Sequence, residues 1–174
     1  MGADAWWDHT QLLMQVDKAI EIFEEAHLNC ITLFVFNKSS THALLRHNAL
    51  CAFEMNKSNV GGQRQQKDTI IPMNNPCPEF HGKAQKMTTK NGEAKGLQQT
   101  LEEHRFNVRG MWAKCRPVCP FKSESCCMAQ LLSKQDDFQF QDSLLEHKVK
   151  AKGHICIFLP KFHCELNPIK MVCV

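Results

Sequence analysis

The chain has 174 residues, a formal net charge of +3, an apolar content of 43% and ten cysteines. This apolar content is enough for a folded core and excludes wholesale disorder, while a charge of +3 is too small to indicate nucleic-acid binding by itself. We find no run of about 18 apolar residues and no signal-peptide pattern, so we expect an intracellular chain without a membrane span. In such a chain, many cysteines indicate reduced thiols or metal ligands rather than disulfides.

Two elements are predicted near the start of the chain. Asp8 and Gln11 have the spacing of a capping box, and apolar residues then recur every three or four positions. This pattern predicts an amphipathic helix over residues 9–27. The continuous apolar run 31–36 predicts a strand buried on both faces, which is typical of parallel pairing.

The middle of the chain, residues 56–96, shows little periodicity and contains many glycines and prolines. A stretch this long without regular elements is unusual in a compact domain. We therefore predict that residues 56–96 form an insertion or a disordered loop. A short helix over 96–105 is predicted to follow it.

Three further elements are predicted after the cysteine-rich segment 113–127. Apolar residues at helical spacing predict one long helix from Ser125 to Gly153, with Gly153 as its C-terminal cap. A buried strand over 155–159 comes next. Asn167 and Pro168 then have the N-cap and first-turn positions of another helix.

Two sequence motifs lie at the carboxyl ends of the predicted strands. Leu159 to Lys170 resembles the "L-P-x-(Y/F)-x-x-x-L-N-P-I-E" signature of the DDE endonuclease domain of mariner-like transposases. Phe34 to His42 resembles that family's "F-(V/I)-F-D-x-(S/A)-x-x-H" segment. The resemblance assigns the second and third catalytic carboxylates to positions that Asn37 and Lys170 occupy here.

The resemblance implies an α/β architecture, a partial ribonuclease-H-like fold with few, mostly parallel strands, flanking helices and a long irregular insertion. It implies a single truncated domain over residues 1–174, because the strand that bears the first family aspartate is expected to be missing. The family binds Mg²⁺ or Mn²⁺, cleaves and transfers DNA strands, and acts in the nucleus. With Asn37 and Lys170 in place of carboxylates, we expect no catalysis here, and we expect self-association through the exposed edge of strand 31–36.

The cysteine-rich segment offers a different function. Cys115-x₃-Cys119-x₆-Cys126-Cys127 supplies thiols that can bind Zn²⁺, which takes four nitrogen or sulfur ligands in a tetrahedron, although the spacing is not a standard zinc-finger pattern. Cys115 and Cys119 form one candidate pair, and Cys126 or Cys127 with His163 or Cys164 forms the other. The alternatives are a non-enzymatic zinc-binding interaction module, buried cysteines that act as small apolar residues, and a reading frame without a selected function.

Overall fold

The computed structural model describes residues 8–39, 42–120 and 122–160. The chain divides into two compact units where we predicted one domain. The first unit comprises Met1–Arg46 and Asp142–Val174, and the second comprises His47–Gln141. The second unit is thus a continuous stretch inserted in the sequence of the first. No helix of the described ranges is long and apolar enough to cross a membrane.

Helices and strands are mixed along the chain, and short 3₁₀ helices lie at Ala52–Glu54 and Pro78–Phe80. The elements in chain order are α1 (His9–Ala26), β1 (Leu33–Asn37), β2 (Thr69–Ile70), β3 (Ala84–Gln85), α2 (Leu97–Glu103), α3 (Met128–Ser133), α4 (Asp136–Gln139), α5 (Leu144–Ala151) and β4 (Ile155–Leu159).

Helix α1 begins at the predicted capping box. The Asp8 carboxylate accepts a hydrogen bond from the Gln11 amide at 2.8 Å, and the Gln11 side chain accepts one from the Asp8 amide at 3.3 Å. The apolar stripe of α1 buries Val16 and Ile20, which form the core of the first unit with residues of α5 and β4. The predicted helix is therefore confirmed, and its end differs by one residue.

Strands β1 and β4 pair in parallel, from Leu33 opposite Ile155 to Asn37 opposite Leu159. Alternate residues of the pair, among them Phe34 and Cys156, pack in the core of the first unit. The opposite face is exposed, so the prediction of a strand buried on both faces is wrong. In the described part of the chain, only helices on one side pack against this sheet. The exposed residues are Leu33, Val35, Ile155 and Ile157.

The core of the second unit is built mainly from α2 and α3. Leu97 and Leu101 of α2 and Leu132 of α3 are fully buried, and Met87 joins them from the segment before α2. The single long helix predicted over 125–153 is wrong, because the chain breaks into α3, α4 and α5. The short helices keep the same apolar spacing, so the periodicity alone does not show the breaks.

Residues 56–96 are held by polar side chains, which differs from the disordered loop that we predicted as one alternative. The other alternative, an insertion, stays a prediction. Strands β2 and β3 form a short antiparallel pair here. The Gln63 side chain accepts from the Asn56 amide at 2.8 Å and donates to the Ala94 carbonyl at 2.7 Å. The Gln66 side chain binds both the amide and the carbonyl of Cys51. Because these side-chain amides replace long ladders of backbone bonds, the sequence shows no periodicity.

A buried histidine gives the second unit a pH dependence. His104 follows α2, is fully buried, and has no hydrogen-bond partner on either ring nitrogen among the described residues. Burial lowers the pKa of His104 from 6.5 to about 4, although Glu103 acts in the opposite direction. Protonation of His104 therefore favours the unfolded chain.

We expect the free energy of unfolding to decrease as the pH falls from 6.5 towards 4, by at most about 3 kcal/mol from His104 alone. His104→Leu should remove this pH-dependent contribution to the free energy of unfolding, because an apolar residue of similar size has no proton to bind. Urea unfolding of both proteins at a series of pH values measures the difference between them. If the free energies of unfolding of the two proteins differ by the same amount at every pH, His104 is not the source of the pH dependence.

Candidate metal centre

Four thiols of the second unit come together. The Sγ atoms of Cys115, Cys119, Cys126 and Cys127 all lie within 4.8 Å of one another, and those of Cys119 and Cys127 are 3.8 Å apart. Zn–S bonds of about 2.3 Å in a tetrahedron give S–S edges of about 3.8 Å. No Sγ–Sγ separation therefore exceeds a tetrahedral edge by more than about 1 Å, so the spacing of the four sulfurs is close to that of one tetrahedral ion.

The start of α3 positions these thiols. Cys127 is the N-cap of α3, and its Sγ accepts a hydrogen bond from the Gln130 amide at 3.5 Å. The amides of Met128 and Ala129 donate to the carbonyls of Trp112 and Ala113, at 2.9 and 3.0 Å. These bonds fix the segment that leads into Cys115 against the first turn of the helix.

A second polar contact holds Ser123, which lies between the two cysteine pairs in sequence. The Gln130 side chain donates to the Ser123 carbonyl at 2.8 Å. The side chain of Ser123 in turn hydrogen-bonds to Cys126. Ser123 is thus tied both to α3 and to Cys126.

The cluster lies at the edge of the core. Cys127 is fully buried within the apolar core, and Cys115, Cys119 and Cys126 are half-buried against it. Four protein thiols can fill all four coordination positions of a tetrahedral metal ion. This is the composition of structural zinc sites, whereas catalytic sites keep a position for water.

The thiols differ in how readily they lose protons. A hydrogen bond with Cys126, together with desolvation, raises the pKa of Cys115 to about 12. Desolvation raises the pKa of Cys119, while a hydrogen bond from Ser123 lowers the pKa of Cys126. A divalent cation binds thiolates, so its binding releases the remaining protons.

The structure brings together four of the six ligands that the sequence suggested. The sequence predicted either Cys126 or Cys127 as one ligand, but both lie in the cluster. His163 and Cys164 lie outside the described residues. The close spacing of four cysteines within residues 115–127 already indicated that these four thiols alone could supply all the ligands of one ion.

The second set of predicted site residues lies at the end of the parallel sheet. Asn37 is opposite Leu159 in the register, so the two strands that carry the motifs end at the same edge. The Asn37 carbonyl is in hydrogen-bond contact with the His42 ring. Lys170 lies outside the described residues.

The four-cysteine cluster can hold a metal ion such as zinc. No family model, no curated protein and no solved structure matches this chain.

Proposed function

We propose that Cys115, Cys119, Cys126 and Cys127 bind one Zn²⁺ as a structural centre, and that the unit His47–Gln141 is a non-enzymatic zinc-binding interaction module. The observation that supports this is the convergence of four thiols within 4.8 Å, with no other residue needed to complete a tetrahedron. Thiolate ligands in a tetrahedron select zinc or iron. A closed set of protein ligands favours a structural role over catalysis.

The proposed ion adds a link between parts of the second unit that hydrogen bonds and core packing already bring together. Cys115 and Cys119 lie in irregular chain, whereas Cys127 is the N-cap of α3 and is part of the core. An ion bound to all four ties that irregular segment to the helix. The module would thereby present the loop 112–126 in a fixed shape.

Metal analysis of the purified chain tests the proposal. We expect about one zinc per chain in the wild type. The double variant Cys115→Ser with Cys119→Ser should lose the metal, because two ligands remain. Cys77→Ser is the matched control, since Cys77 is a half-buried free cysteine of the same unit outside the cluster. Metal-free wild type from zinc-supplemented cells, or equal zinc in both variants, would contradict the proposal.

We further propose that the first unit derives from the ribonuclease-H-like endonuclease of mariner-like transposases. Support comes from the motifs at residues 34–42 and 159–170 and from the parallel pairing of β1 with β4. Mg²⁺ and Mn²⁺ at such a site need carboxylates, and the corresponding residues here are Asn37 and Lys170. We expect no Mg²⁺- or Mn²⁺-dependent nicking of plasmid DNA. Cleavage that EDTA abolishes would contradict this second proposal.

A further inference from the structure

Trp112 is exposed although its backbone is fixed. The indole is 79% exposed, while the Trp112 carbonyl accepts a hydrogen bond from the Met128 amide at 2.9 Å. An aromatic side chain that is left mostly in solvent gains little for the fold from burial. It presents a flat apolar face at low entropic cost to a ligand.

The indole lines an open cavity together with two cationic residues. The volume of this cavity is about 580 Å³, which lies within the range of ligand sites. Lys114 and Arg116 contribute positive charge, and no carboxylate lines the cavity in the described part of the chain. Neither cation forms an ion pair with a described residue. The lining residues are Trp112, Ala113, Lys114, Cys115 and Arg116.

We propose that Trp112, Lys114 and Arg116 form a binding site for single-stranded nucleic acid. One base stacks on the Trp112 indole, and the neighbouring phosphates contact Lys114 and Arg116. Stacking of this kind needs an unpaired base with a free face, because both faces of a base pair in a duplex are already covered. An acidic peptide matches the two cations but leaves the indole unused.

The site goes beyond the proposed zinc centre but lies next to it. Cys115 stands between Lys114 and Arg116 in sequence and lines the same cavity. Four thiolates around one Zn²⁺ add negative charge beside the two cations. We therefore expect weak binding that is sensitive to salt, rather than tight binding.

Fluorescence anisotropy of a labelled oligothymidylate with the full chain tests the stacking. Trp112→Ala should weaken binding about 5- to 150-fold, and Trp112→Phe should retain most of it. Phe140→Ala is the matched control, because Phe140 is an aromatic residue of the same unit that is 72% exposed. This control should bind as the wild type does. A duplex of the same length should bind more weakly than the single strand.

The salt dependence of binding tests the phosphate contacts. Lys114→Gln with Arg116→Gln should reduce the slope of log K against log salt by about 1.4, which is the loss of two contacts on a single strand. Lys86→Gln with Lys90→Gln removes two exposed charges of the same unit elsewhere and should leave the slope unchanged.

Three results would overturn the inference. These are absence of binding at low salt, equal binding by Trp112→Ala and the wild type, and equally effective competition by poly-glutamate, which has charge without bases. Zinc content is measured on the same samples. Oligothymidylate binding with the expected variant pattern by a metal-free wild type would support this inference and contradict the zinc proposal, so the two fail separately.

Discussion

Removal of zinc should abolish the cooperative unfolding transition of the unit His47–Gln141. Binding of structural Zn²⁺ contributes about 10–16 kcal/mol in zinc-finger peptides, which is as large as the whole stability of a typical domain. The amides of Met128 and Ala129 should lose their protection from hydrogen exchange first, because their partners Trp112 and Ala113 lead directly into Cys115. Hydrogen exchange with and without a zinc chelator measures this.

The control for chelation is the double variant Cys115→Ser with Cys119→Ser, on which the chelator should have no effect. Added Zn²⁺ should restore protection in the wild type only. Unchanged exchange at Met128 and Ala129 in chelated, demonstrably metal-free wild type would show that apolar packing alone holds this unit together.

Gly96→Ala should be among the most damaging single substitutions in the second unit. Gly96 is the N-cap of α2, and an added Cβ would lie 2.4 Å from both the carbonyl carbon and the oxygen of Ser58. These are backbone atoms, which cannot rotate away. The neighbouring amides of Leu97 and Gln98 donate to the carbonyls of Asn56 and Lys57, so the helix cannot shift without losing these bonds.

We expect Gly96→Ala to lower the free energy of unfolding by about 3 kcal/mol, measured by urea denaturation. Gly62→Ala is the matched control, because nothing lies within 4 Å of a Cβ at that position. Its effect should stay within about 0.5 kcal/mol. Equal denaturation midpoints for the two variants would show that α2 does not pack as closely on residues 57–58 as the structure has it.

Local sequence patterns predicted the elements that local interactions decide. The capping box of Asp8 and Gln11 satisfies the first turn of α1 from within the same few residues, so the pattern is readable from the sequence. The apolar runs predicted β1 and β4 for the same reason. Their exposed face was not predictable, because which neighbours cover a strand depends on distant parts of the chain.

The structure of residues 56–96 could not be predicted from local sequence patterns. Their structure depends on side-chain amides such as Gln63 and Gln66, which bind backbone groups up to 31 residues away in sequence. Such contacts leave no periodic pattern. The break between α3 and α5 was equally hidden, since Ser143 is a capping residue whose role depends on where the preceding helix stops.

The sequence predicted that cysteines form the candidate metal site, but it did not predict which four residues come together. The sequence gives the spacing of the four cysteines, but spacing alone does not show that the adjacent residues Cys126 and Cys127 both face the same point. That convergence follows from the turn before α3, in which Cys127 caps the helix. Trp112 gave no indication of its exposure, because apolar residues in irregular chain are buried or exposed according to the tertiary fold.

X-ray absorption at the zinc edge tests the four-thiolate centre, because it reports the ligands and bond lengths of the bound ion. We predict four sulfur neighbours at about 2.3 Å, supplied by Cys115, Cys119, Cys126 and Cys127. A shell that contains nitrogen at about 2.0–2.1 Å would contradict this assignment, because it requires a histidine such as His163 in place of one of the four thiols.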